Sequence, residues 1–106
     1  MAHIETMVEH RLDTEGADPL MLAGVNDRNI HEMERLFSVQ VVMRHDQLVL
    51  RGLLDSLQRA VPVAQHLIEL ARLRAPFDTP DIARFADGVD ALGVDGIVRP
   101  DDEARI

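Results

Sequence analysis

The first residues of the chain alternate between two kinds of side chain. Every second residue from Ile4 to Leu12 forms one set, and the residues between them are mostly acidic or basic. A period of two is typical of a β-strand with one polar face. Asp18-Pro19 then breaks the alternation and predicts the start of a short helix, which Gly24 ends.

The apolar spacing changes after Gly24 to three and four residues, which is the spacing of an amphipathic helix. The apolar positions of this helix are Ile30, Met33, Leu36 and Phe37. Asn26 is expected to be its N-cap, and Asp27 lies where the positive end of the helix favours an acid.

A period of two returns at Val39 and continues through Met43. Leu48 and Leu50 belong to a partner strand, so the pattern predicts a hairpin with its turn at residues 44–46 and its end at Gly52.

A long helical stripe follows from about residue 54 to residue 74. Pro62 interrupts it, and because proline removes a backbone donor, a kink or a restart is expected there. Thr79 and Pro80 are expected to be the N-cap and first residue of a further helix. The three aromatic residues of the chain are expected in core or anchor positions: Phe37, Phe77 and Phe85.

These elements predict an α+β fold with the order β-α-α-β-β-α, in which a three-stranded antiparallel sheet has its helices on one face. One extra C-terminal helix follows. We expect the domain over residues 1–75, the appended helix over 76–92, and a linker or frayed tail over 93–106.

Composition narrows the possible functions. The chain has 106 residues, enough for one domain, and no cysteine, so disulfides and thiolate metal sites are excluded. Its formal net charge is −8, and every basic residue is arginine. The basic footprint of a strong nucleic-acid binder is therefore missing. No apolar run is long enough for a membrane helix and the N-terminus is not a secretory signal, so a cytoplasmic location without membrane contact is expected.

The predicted order is also that of type I KH domains. The run LAGVNDRNI, residues 22–30, lies where a KH domain has its GxxG loop, and FSVQV, residues 37–41, resembles the KH transition from helix to strand. Residues 16–60, and more loosely those up to about 90, resemble the N-terminal KH-like domain of PhoH-family (phosphate-starvation-inducible PhoH-like) ATPases. IVRP, residues 97–100, resembles the entry into their ATPase domain.

This resemblance implies an RNA-related parent protein that binds ATP and magnesium through a P-loop ATPase domain. The chain itself has no P-loop sequence and no lysine to serve one, so it is expected to be non-catalytic and without a cofactor. Its expected partners are the ATPase domain of the parent, RNA, and further copies of itself.

The KH resemblance also implies a set of nucleic-acid contacts. These are Gly24, Val25, Asn26, Asp27, Arg28, Asn29 and Arg44. Gly24 occupies the first glycine position of the loop, but Asp27 occupies the second and adds a negative charge where a phosphate would lie. Asn26 and Asp27 can alternatively be explained as helix caps.

The surface arginines of the hairpin also have two explanations. Arg44 and Arg51 can follow a nucleic-acid backbone, or they can be solvated or paired with Asp46 and Asp55.

Other candidate chemistry is weak. His31 and Glu32 with Glu34, and His66 with Glu69, lack the spacing of a known metal site, so no metal is expected. No nucleophile, base and orienting residue share a suitable spacing. Two functions remain: an RNA-presenting module of a PhoH-like protein, or a protein-interaction or oligomerisation domain that binds no nucleic acid.

Overall fold

The computed structural model describes residues 7–92, which form three strands and four α-helices around one core. The predicted strand residues 4–6 and the predicted tail 93–106 lie outside the described part. In chain order the elements are β1 (Met7–Asp13), α1 (Pro19–Ala23), a 3-10 turn (Val25–Asp27), α2 (Arg28–Phe37), β2 (Gln40–Arg44), β3 (Gln47–Leu53), α3 (Leu54–Arg72) and α4 (Thr79–Leu92). The α+β fold class and the predicted order are confirmed.

The sheet is antiparallel, with β3 in the centre and β1 and β2 at its edges. Leu12 is paired with Leu48 across β1 and β3, and Val41 is paired with Leu50 across β2 and β3. These four residues are buried under the helices. Because side chains alternate along a strand, the residues between them form a second face without helices. We call this second side the open face.

The helices cover the other side of the sheet, and among the described helices α3 contributes the most buried residues. Its wholly buried residues include Val63, Ala64 and Leu67. Ile82 and Ala86 of α4 belong to the same cluster, so the segment expected as an appended helix packs into the common core. Phe37 is buried, and Phe77 and Phe85 pack against the core.

Two expected helix boundaries are corrected by the structure. Helix α3 continues through Pro62 without a restart. Interior proline costs about 3 kcal/mol, and the burial of its neighbours Ala60, Val63 and Ala64 offsets that cost.

Within residues 7–92, no helix has the length and apolar character that a membrane span requires.

Helix α4 begins at Thr79, which is therefore its first residue and not its N-cap. The side chain of Asp81 accepts a hydrogen bond from the amide of Asp78 at 2.9 Å, which closes the first turn one residue earlier than expected. At the start of α1, by contrast, the residue before the proline is the N-cap. The side chain of Asp18 accepts hydrogen bonds from the backbone amides of Leu20 and Met21.

Candidate binding surfaces on two sides of the sheet

The junction loop, Gly24–Asp27, connects α1 to α2 through a tight bend. Gly24 has φ 79°, and Asn26 and Asp27 follow in the left-handed region at φ 55° and 58°. A Cβ at Gly24 would come within 2.9 Å of both the Cγ of Arg28 and the Nδ2 of Asn29. Glycine is thus required here by its positive φ and by the close approach of α2.

The expectation that Asn26 and Asp27 cap α2 is wrong. Helix α2 begins after Asp27, whose side chain makes no capping hydrogen bond. An N-cap needs an extended backbone to aim its side chain at the first turn, whereas both residues are left-handed. The loop bonds to itself instead: the amide of Asp27 donates to the carbonyl of Gly24 at 3.1 Å, and the amide of Arg28 donates to that of Val25.

Asn29 holds the junction loop from inside. Only 4% of this residue is exposed, and its Nδ2 lies 3.2 Å from the carbonyl oxygen of Met21 and 3.3 Å from that of Leu22, to which it donates. Its Oδ1 accepts a hydrogen bond from the hydroxyl of Thr79 at 2.7 Å. One amide therefore links α1, α2 and α4. Asn29 was expected to contact nucleic acid, but the structure places its side chain in the interior.

The outer residues of the junction loop face outward, as does Arg28 at the start of α2. Val25, Asn26, Asp27 and Arg28 are exposed, and Val25 is 61% exposed. Asp27 gives the junction loop one negative charge, and Arg28, the first residue of α2, brings one positive charge beside it. Two of the amides that would face a phosphate donate to loop carbonyls instead.

Arg44 lies on the other side of the sheet from the junction loop. It lines a depression of about 260 Å³ on the open face. The residues that line this depression come from all three strands: Glu9, Arg11, Gln40, Val42, Arg44, Val49 and Arg51. The structure therefore separates Arg44 from the other expected contacts and brings it together with Arg11 and Arg51.

The ion pairs of the open face are few. Within residues 7–92, Glu9 accepts from the Nε of Arg11 at 3.0 Å, and neither Arg44 nor Arg51 has an ion pair. The alternative that Asp46 and Asp55 neutralise these two arginines is thus not found in the described part. Sequence reasoning missed Arg11, although its place among the polar residues of the alternating β1 pattern was the available signal.

The acidic groups considered for metal binding have other partners. Arg35 donates to both carboxylate oxygens of Glu32, at 2.9 and 2.8 Å, and these hydrogen bonds hold the pKa of Glu32 below its ordinary value. Glu34 accepts from the amide of Val41 at 3.0 Å. In the described part of the chain, no group of three or more metal-ligating side chains is present.

Comparison with known proteins adds no relative: no family model matches the chain, and no curated protein or solved structure is significantly similar to it.

Proposed function

We propose that this domain is a non-catalytic KH-like module that presents RNA to the ATPase domain of a PhoH-like ATP-binding protein. The observation that carries the proposal is the position of the junction loop. A bend that requires glycine lies between α1 and α2 of a β-α-α-β-β-α chain, where a KH domain has its nucleic-acid loop.

RNA would meet the exposed side of the junction loop. The guanidinium of Arg28 is the cation that would contact a phosphate there, and Asn29 would keep the loop in place from below. Asp27 opposes binding, because two unit charges about 4 Å apart repel by roughly 1 kcal/mol in water and about 4 kcal/mol at an effective dielectric of 20. The predicted affinity is consequently modest and sensitive to salt.

The catalytic parts of the proposed parent belong to other segments. ATP and magnesium would bind its P-loop domain, since a chain without lysine cannot supply a P-loop lysine. A cytoplasmic location accompanies this proposal.

A second candidate function is protein interaction or oligomerisation without nucleic acid. A specific observation favours it: the three phenylalanines lie in or against the core and the chain has no tyrosine or tryptophan, so residues 7–92 offer no freely exposed phenylalanine, tyrosine or tryptophan ring for base stacking. The exposed carboxylate of Asp27 also favours this second function, because its negative charge repels a phosphate.

Fluorescence anisotropy with labelled single-stranded and hairpin RNA tests the first function. We expect Arg28→Ala to remove binding and Asp27→Gly to strengthen it, because glycine removes the charge and suits φ 58°. Arg84→Ala is the matched control, since this exposed arginine lies on α4.

Each outcome decides between the two functions. Micromolar RNA binding that Arg28→Ala removes and Asp27→Gly strengthens supports RNA presentation through the junction loop. Absence of binding at low salt, even with Asp27→Gly, would reject it and leave protein interaction.

A further inference from the structure

The open face carries a positive patch on an acidic protein. Three arginines against one glutamate give the lining of its depression a formal charge of +2, whereas the whole chain carries −8. Because salt screens exposed charges beyond about 8 Å at physiological ionic strength, a partner on this face meets mainly the local charge.

The arginines reach the depression from three different strands. Arg11 is paired with Val49, Arg51 with Glu9 and Gln40, and Arg44 with Gln47. Each arginine thus lies in a different row across the sheet, and neighbouring rows are about 7 Å apart. Long side chains that start from such positions surround a shared centre, which Val42 and Val49 form.

That centre is aliphatic. Val42 is 45% exposed and lies directly opposite Val49 in the register of β2 and β3. Arginines around an apolar centre without an aromatic ring match the composition of protein interfaces better than that of a base-stacking surface.

The edge of the sheet limits how a partner can bind. Glu34 already accepts from the amide of Val41 on the edge strand β2, so an added strand would have to displace this carboxylate before it could pair there. Strand addition to β2 is therefore opposed at this amide, whereas the described helices leave the side chains of the open face uncovered.

We propose that the open face is a docking site for an acidic protein segment that carries aliphatic side chains. Its carboxylates would contact Arg44 and Arg51, which have no ion pair within residues 7–92, and guanidinium groups suit carboxylates through paired hydrogen bonds. Its aliphatic side chains would cover Val42 and Val49. This site goes beyond the proposed function, because it lies across the sheet from the junction loop.

Glu9 provides an internal competitor for the same cations. Its carboxylate accepts from Arg11 and stands opposite Arg51 in the register. Replacement by glutamine keeps the shape and removes the charge, so Glu9→Gln should strengthen binding of an acidic segment.

The test is fluorescence anisotropy of the chain with a short labelled peptide of glutamates and leucines. The same peptide with glutamine in place of glutamate, and a single-stranded RNA, serve as comparison probes. We expect Arg44→Gln with Arg51→Gln to weaken binding of the acidic peptide about tenfold, and Glu9→Gln to strengthen it about threefold. Arg35→Gln with Arg84→Gln removes the same charge from α2 and α4 and should change binding less than twofold.

Four outcomes would overturn the proposal. The first is no binding of the acidic peptide at low salt, and the second is equal binding of the acidic and the glutamine peptides. The third is an equal loss of peptide binding in the control pair and in the Arg44 and Arg51 double variant. The fourth is RNA binding that is tighter than peptide binding and depends on Arg44 and Arg51. Self-association of the chain that Arg44→Gln and Arg51→Gln abolish, measured by light scattering, would also replace the acidic partner with a second copy. None of these results depends on Asp27 or Arg28, so failure here is distinguishable from failure of the RNA proposal.

Discussion

The two faces of the sheet differ in what their side chains bind. On the helix-covered face, Leu48 and Leu50 are 0% exposed, and within residues 7–92 no buried polar side-chain atom lacks a hydrogen-bond partner. On the open face, Arg44 and Arg51 have no ion pair in the described part. The side chains of the covered face stabilise the fold, whereas the open face has charged side chains that are available to contact a partner.

Adjacent residues of β3 provide the largest expected contrast. Leu50→Ala should lower the free energy of unfolding by about 3 kcal/mol, because it leaves a cavity in the core. Val49→Ala, on the open face, should cost less than about 1 kcal/mol. Urea denaturation of both variants measures the difference. Equal losses would mean that another surface already covers the open face.

Two asparagines, Asn26 within the junction loop and Asn29 after it, extend the contrast to polar groups. Asn29→Ala should cost about 2–3 kcal/mol, because the carbonyls of Met21 and Leu22 and the hydroxyl of Thr79 lose their partner. Asn26→Ala is the matched control, and its cost should stay at about 1 kcal/mol, since this residue is exposed and alanine adds only the strain of the left-handed φ 55°. Chemical denaturation of both variants would contradict this assignment if Asn26→Ala were the more damaging change.

Substitution of two glycines distinguishes the cost of backbone strain from the cost of close packing. Gly16 and Gly24 have φ 84° and 79°, but a Cβ at Gly16 meets no atom within 4 Å. Gly16→Ala should therefore cost about 1 kcal/mol through strain alone, and Gly24→Ala about 2 kcal/mol because Arg28 and Asn29 must also move. Thermal unfolding monitored by circular dichroism compares the two, and equal costs would show that the junction loop adapts freely.

The smallest effect is expected for the arginines of the open face. Arg44→Gln with Arg51→Gln should change the free energy of unfolding by less than about 0.5 kcal/mol, because exposed charges without ion pairs contribute little to folding. The measurement is the urea midpoint of the double variant. If the free energy of unfolding fell by more than about 1 kcal/mol, these arginines would contribute to folding stability, and the contrast between the two faces would be wrong.

Local patterns were sufficient for much of the architecture. The period of two predicted the strands of the hairpin, and Asp18-Pro19 predicted the start of α1, because strand faces and helix caps depend on residues close in sequence. The same patterns placed Phe37 among the core positions and ended the first helix at Gly24. Each of these features depends on a few neighbouring residues, so the chain itself carries the information.

Contacts between distant residues required the tertiary structure. Asn29 became an interior link because Thr79, fifty residues later, supplies the donor to its carbonyl oxygen, and no local spacing indicates that partner. Pro62 remains helical because buried neighbours offset its cost. Arg11, Arg44 and Arg51 form one patch only after three strands align in register. The amino-acid sequence alone thus determined the elements and their polar faces, whereas the packing of distant elements decided which polar residues hold the fold and which remain available for binding.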